Sequence, residues 1–272
     1  MTIDLLFLLL ILLSGAVAGF ASGFFGIGGG VILVPIFIIV FEHFGHAGIA
    51  THTAIGTSLA IIIPNALMAS KKQIALGNLD TLLFKRWLPG LIIGIVIGGI
   101  AMLFIAGIIL KIIFLFLLLF SMFSLFLKDT HKTPDAISTP SSTIRIAAGS
   151  SIIALLSVLM GIGGGTFIVP YCKKLLHISI KKAMAISSLS GVFIGIGGTI
   201  MAIITGVIYQ GPSIPLSIGY VNWLSFLLIL PMSLWLTPKG VSAAHKLSES
   251  TVKKCFIGLL LVCILLLLVK MF

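Results

Sequence analysis

Apolar residues fall in long blocks along this chain, separated by brief polar breaks. The blocks are 3–24, 31–41, 47–70, 87–105, 111–127, 146–160, 166–180, 183–208, 221–237 and 255–270. A helix needs about 20 apolar residues to cross a bilayer. By that measure 31–41 and 166–180 are short. The pattern predicts an all-α polytopic membrane protein. The apolar start, Met1–Leu13, contains Asp4 and has no basic residue ahead of it. A signal peptide has a positive leading region and a small-residue cleavage site, so this segment is expected to stay as a first helix.

One polar stretch, Lys128–Thr143, is rich in Ser, Thr and Pro and divides the chain nearly in half. It makes 1–127 a first membrane repeat, 128–143 a linker and 144–272 a second repeat. The halves share a collinear series of motifs. Gly26-Ile-Gly-Gly-Gly30 with Pro35 matches Gly161-Ile-Gly-Gly-Gly165 with Pro170 at an offset of 135 residues. Ala54-Ile-Gly-Thr-Ser58 answers Ala183-Met-Ala-Ile-Ser187 at 129, and Gly77-Asn-Leu-Asp80 answers Gly219-Tyr-Val-Asn222 at 142. Pro89, Gly98, Ala101, Lys111 and Phe114 then meet Pro231, Gly240, Ala243, Lys253 and Phe256 at that same 142. Such an ordered series implies internal duplication.

Charge supplies orientation. Only 8% of residues are charged, against about 25% in soluble domains, so the bilayer must be the solvent. The net charge of +11 is not gathered into a basic cluster beside a soluble module, which argues against a nucleic-acid partner. The basic residues read as cytoplasmic anchors instead. Between Arg145 and Lys173 lie 27 residues, too few for two crossings of about 20 each plus a turn. That segment is expected to be a hairpin with its tip at Gly161–Gly165, returning to the side it entered. The matching hairpin is 3–41, with its tip at Gly26–Gly30. Three crossings after each hairpin invert the second repeat relative to the first. The fold class is therefore two inverted repeats, each a Gly-rich hairpin plus three transmembrane helices. This path places 15 of the 17 basic residues on one side, leaving Lys111 and Lys270 on the other. It predicts a cytoplasmic linker and external termini. Inverted repeats with a site near the midplane are an architecture of secondary transporters.

The paired glycine runs are the sharpest candidates for chemistry. Irregular backbone at membrane depth needs cover from protein or a water-filled cavity. Bare N–H groups at a helix start, with the helix dipole behind them, bind anions without any charged side chain. Gly26, Gly28, Gly29, Gly30, Gly161, Gly163, Gly164 and Gly165 are the substrate-binding candidates. The alternative is that they only allow close helix packing. Thr57, Ser58, Ser187 and Ser188 could donate hydrogen bonds to a bound oxyanion, or simply bond neighbouring helices. Pro64-Asn65 is expected to break its apolar block and Gly195–Gly198 to soften the equivalent one. Pro64, Asn65, Gly197 and Gly198 are thus candidate hinges or ordinary kinks. His43, His46 and His52 lie near Glu42, but no zinc spacing joins them, and an exposed loop is expected there. Cys172, Cys255 and Cys263 lack metal spacing and read as free buried thiols. The six acids, Asp4, Glu42, Asp80, Asp129, Asp135 and Glu249, fall near block ends or in the linker. No metal, cofactor, buried carboxylate relay or hydrolytic carboxylate pair is implied.

Two Gly-Ile-Gly-Gly-Gly…Pro motifs, each followed by a Gly-Thr-Ser-like turn and a Gly-x-x-Asp/Asn step, resemble the TauE/SafE family of membrane transporters. The resemblance covers nearly the whole chain. It implies secondary transport, without ATP, of sulfur-containing anions such as sulfite, sulfonates or sulfoacetate across the plasma membrane. The chain departs from its own first-half pattern at Ala185-Ile186-Ser187, which answers Gly56-Thr57-Ser58, and at Asn222, which answers Asp80. In the same reading, cytoplasmic Lys173, Lys174, Lys181 and Lys182 concentrate anions at the inner entrance. The competing readings are a membrane-embedded enzyme, which lacks a nucleophile–base–acid set, and a structural membrane scaffold.

Overall fold

A computed structural model describes residues 5–126, 142–209 and 213–271. Most of the expected linker thus lies outside the described residues, as do Asp4, Asp129 and Asp135. A hairpin of α1 (Leu5–Phe25) and α2 (Gly30–His43) opens the first half. It leads into α3 (Ala47–Ala75), α4 (Thr81–Met102) and α5 (Gly107–Phe126). The second half repeats the order. The hairpin is α6 (Thr143–Met160) and α7 (Gly165–Leu175), followed by α8 (Ile180–Tyr209), α9 (Trp223–Lys246) and α10 (Glu249–Met271). Among the described residues the one non-helical addition is an antiparallel pair, β1 (Ser217–Ile218) and β2 (Val221–Asn222), between α8 and α9.

Helices α3, α4, α6, α8, α9 and α10 contain stretches long and apolar enough to cross a membrane. The return arms α2 and α7, with 14 and 11 residues, are shorter. On α4 an exposed stripe of Ile92, Ile93, Val96, Ile97 and Ile100 covers one face. A stripe of that kind suits the lipid of a bilayer, because water would penalise every one of its side chains.

Packing exchanges elements between the halves. Helix α1 lies along α9, and its equivalent α6 lies along α4; α3 and α8 pack against each other at the centre. Small residues at four-residue spacing explain the first two pairs. Gly15, Gly19 and Gly23 of α1 face Ile229, Ser233 and Thr237 of α9, while Gly90, Gly94 and Gly98 of α4 face Ala147, Ser151 and Leu155 of α6. Residues four apart share one helix face, and without side chains there the backbones close in as in other small-residue membrane contacts. The Thr237 hydroxyl donates to the Gly19 carbonyl across this contact at 3.0 Å.

The repeated Gly-x-x-Asp/Asn step is a turn followed by a helix cap. Gly77 and Gly219 have φ of +69° and +58°, and Asp80 and Asn222 then cap α4 and α9. Leu83 N–H donates to Asp80 Oδ1 and Ser225 N–H donates to Asn222 Oδ1, both at 2.9 Å. The change from acid to amide has a physical reason. Asn222 Nδ2 donates to the Pro215 carbonyl at 2.9 Å and to Ser217 Oγ at 3.0 Å. A carboxylate could cap the helix but could not donate to the β1–β2 hairpin.

Three expectations are corrected. Helix α3 runs unbroken through Pro64; one missing N–H is absorbed by neighbouring helices at membrane depth. His52 lies in α3 rather than an exposed loop, 9% exposed, with Nε2 donating to the Ile105 carbonyl at 3.0 Å. Cys172 and Cys263 are buried thiols, but Cys255 is exposed.

Candidate functional site at the glycine tips

The two hairpin tips meet. Each return helix starts from a left-handed glycine, Gly29 at φ 86° and Gly164 at φ 84°. A side chain is strained at that φ, and glycine is not. The chain can thus reverse within four residues and start a new helix at once. Across the tips, Gly163 N–H donates to the Ile27 carbonyl at 3.2 Å. A Cβ added to Gly30 would overlap the Gly161 carbonyl, and one added to Gly165 would stand 2.5 Å from the Gly26 oxygen. Every glycine of both tips is buried.

Two serines close this contact reciprocally. Ser58 on α3 donates to the Gly161 carbonyl at 2.8 Å, and Ser187 on α8 donates to the Gly26 carbonyl at 2.7 Å. Each hydroxyl thus reaches the tip of the other half. Ser188 is buried beside Gly26, and its Oγ has no partner, like the buried Oγ atoms of Ser22 and Thr166. Thr57 serves another contact, accepting the Asn222 N–H at 2.9 Å. Asn65 is fully buried with Oδ1 3.5 Å from Thr237 Oγ1. Gly197 packs on Ile95 and Gly198 on Leu59.

The first N–H groups of a helix have no intrahelical acceptor. In α2 the intrahelical pattern begins with Ile32 and Leu33, both donating to Gly29 O; in α7 it begins with Phe167 and Ile168, both donating to Gly164 O. Two positive helix ends therefore converge on one buried point. That arrangement suits a small anion, provided the tips part to admit it. A side chain at Gly29 would meet the Ala18 carbonyl at 2.8 Å, and one at Gly164 would meet Ile168 and Ile194. Neither points into open ligand space.

The surroundings are unequal at the two ends of α3 and α8. At one end the β1–β2 hairpin covers the bundle. Tyr220 donates its N–H to the Ala202 carbonyl at 3.1 Å, and its ring stacks on His52 at 4.9 Å between centroids. Burial, and then neighbouring Tyr209, push the Tyr220 phenol up to about 12, so it is neutral. Lys111 on α5 pairs with Glu42 on α2 at the same end. At the other end, two adjoining cavities of about 60 and 230 Å³ share Ile180, Met184 and Val252 as walls. The smaller reaches Gly165. Among the described residues no group of three or more His, Cys, Asp or Glu is placed to hold a metal.

Sequence reasoning missed the glycine stripes of α1 and α4, although the four-residue spacing was available. It also missed Lys253 and His245 at the cavities, because nothing local marks a side chain as facing a cavity.

Comparison with known proteins gives one consistent result. The family described as sulfite exporter TauE/SafE matches residues 11–267. A probable membrane transporter protein of Haemophilus influenzae is 34% identical over 263 residues, covering 94% of this chain and 96% of its own. One of the same description from Methanocaldococcus jannaschii is 28% identical over 257 residues, 90% of this chain and 89% of its own. A third, from Bacillus subtilis, is 26% identical over 269 residues, 90% and 91% of the two chains. No solved structure matches.

Proposed function

Given that the chain belongs to the sulfite exporter TauE/SafE family and is a membrane transporter rather than an enzyme, we propose that it carries a small sulfur-containing oxyanion. Sulfite, sulfonates and sulfoacetate are the class, moved across the plasma membrane by alternating access without ATP. The observation that carries this reading is the meeting of two helix N-termini at Gly26–Gly30 and Gly161–Gly165. An oxyanion entering there takes the backbone N–H groups of Gly29, Gly30, Gly164 and Gly165. Ser58 and Ser187 can then turn from the carbonyls they hold toward the bound oxygens, and Ser188 supplies a further hydroxyl. The tips, which are in contact in this conformation, part around the anion. Pro64, Asn65, Gly197 and Gly198 are the proposed flexing points on α3 and α8. A closed state with no continuous pore is what a carrier needs.

We also assign the repeats opposite orientations, with the Lys-rich end in the cytoplasm. Reciprocal packing of α1 on α9 and α6 on α4 supports it, as does the basic-residue partition. Reporter fusions that work only outside the cell are expected to be active at Phe272 and silent at Pro134. The reverse pattern would refute the orientation.

Transport itself is tested with purified protein in liposomes. Sulfite and a short sulfonate are expected to cross faster than in protein-free liposomes and to compete with each other. Flux of neither, from protein that remains folded, removes the sulfur-oxyanion assignment while leaving the family membership intact.

A further inference from the structure

Beyond the glycine tips, α3 buries two carboxamides. Asn65 and Gln73 are both fully buried. Among the described residues, neither Asn65 Nδ2 nor Gln73 Nε2 has a hydrogen-bond partner. We propose that these two amides line a passage for a small oxyanion between the glycine tips and the Lys-rich end. This rests on the transporter reading and adds binding residues to it. Measured along α3 from Ser58, which closes the tips, Asn65 lies about 10 Å and Gln73 about 22 Å further on, all three within about 80° of the helix circumference. Lys71 and Lys72 end the same helix. Beside Asn65 stands Thr237 of α9, with Oγ1 3.5 Å from Asn65 Oδ1. Ser22 of α1 lies between Gly19 and Gly23, which face this part of α9, and its buried hydroxyl also has no partner. At Gln73, Asn78 Nδ2 donates to Oε1 at 2.9 Å and His245 Nε2 stands 3.2 Å from the same oxygen. These contacts fix the amide by its oxygen and leave its donor unused. His245 also lines the larger cavity of about 230 Å³, so the polar strip ends where that cavity begins.

A buried amide donor without a partner is costly at membrane depth. A helix hydroxyl can turn back to a carbonyl of its own helix. That escape sets the amides apart from the unpartnered hydroxyls of Ser190 and Thr199 on α8. The chemistry favours an anion, because α1, α3, α8 and α9 contain no Asp or Glu. Donors without neighbouring carboxylates suit an oxyanion, which only accepts. The second repeat supplies the contrast. At the offset of 129, Ile194 answers Asn65 and Ala202 answers Gln73, both fully buried. At the offset of 135, Ser157 answers Ser22, and its hydroxyl is satisfied by the Ile153 carbonyl at 2.6 Å. The Ala202 carbonyl accepts the Tyr220 N–H beneath the β1–β2 hairpin. Packing alone would not put amides on one helix and Ile and Ala on its equivalent.

Asn65→Leu separates a ligand contact from a structural one. Leucine keeps the branching of the side chain and removes a donor that no described group satisfies, so melting is expected near the parent's. The KM for sulfite in liposomes is expected to rise roughly tenfold, as for one lost hydrogen bond to a charged group. Unchanged KM would overturn the role of Asn65. Cysteine accessibility gives a reading that needs no flux and decides the matter if leucine prevents folding. Cys255 is exposed while Cys172 and Cys263 are buried, so Cys255→Ser is the background in the full-length chain. Asn65→Cys and Gln73→Cys are expected to react with an anionic methanethiosulfonate, and more slowly in methanesulfonate than in chloride at the same ionic strength. Ile194→Cys and Ala202→Cys are expected to stay unmodified. No reaction at 65 and 73, equal reaction at all four positions, or equal protection by the two anions would overturn the passage. If that happens while the parent protein carries sulfite, only this inference falls. Selective protection at 65 and 73 in a protein that moves no sulfur oxyanion would retire the transport assignment alone.

Discussion

Gly30→Ala and Gly165→Ala are each expected to abolish flux while leaving membrane insertion intact. Neither position has a left-handed φ, so alanine brings no backbone strain of its own. What it brings is a methyl group against the opposite tip. At Gly30 the Cβ overlaps the Gly161 carbonyl, and at Gly165 it meets Gly26 O and Ile27 Cα, both at 2.5 Å. Backbone cannot rotate aside as a side chain does, so the tips must separate. Overpacking of this kind typically costs about 1–3 kcal/mol, or roughly five- to 140-fold in the population of the closed state. The separation also strains the Ser58–Gly161 and Ser187–Gly26 hydrogen bonds, at 2.8 and 2.7 Å. Sulfite flux, binding affinity and thermal stability are measured on the same purified variants. Lost flux with near-normal stability supports the tips as the moving site. Lower stability with normal flux and affinity would reduce these glycines to packing residues.

Lys111→Met is expected to cost about 3 kcal/mol of stability, the low end for breaking a buried ion pair. With Glu42 only 14% exposed, removing the ammonium leaves a carboxylate with little access to water and without its lysine. Replacing both partners should recover most of the loss, because a well-packed apolar pair is often as stable as a buried ion pair. The Glu42→Leu/Lys111→Met double variant therefore melts close to the parent, and the single variant well below it. Similar melting of all three proteins would show that the pair is solvated and of little consequence. A double variant no better than the single would show that α2 and α5 depend on the ion pair itself.

The membrane as solvent, ten apolar segments, two short return arms and the recurring order of elements were all legible in the chain. Each follows from local composition or from spacing along the sequence. A bilayer penalises every exposed charge and every unpaired backbone group, so hydropathy alone nearly writes the list of helices. Gly26–Gly30 and Gly161–Gly165 were legible too, because glycine runs at the start of short helices have few uses. Their environment was not. Only the tertiary structure brings Gly163 to Ile27 and joins Ser58 and Ser187 to the opposite tips. These partners are 103 and 161 residues apart, and no local pattern encodes such a distance. Pro64 shows the reverse case. Its local signal marks a break, and neighbouring helices override it. Thr57 and Ser58 are adjacent in sequence with similar hydroxyls, yet one accepts from Asn222 in the hairpin cover and the other closes the tips. A helix turns successive side chains by about 100°, so which neighbour each one meets is decided by packing alone. The same reason separates Lys111 from Lys253. They match at the offset of 142 residues, but one pairs with Glu42 on α2 and the other edges a cavity beside Phe256.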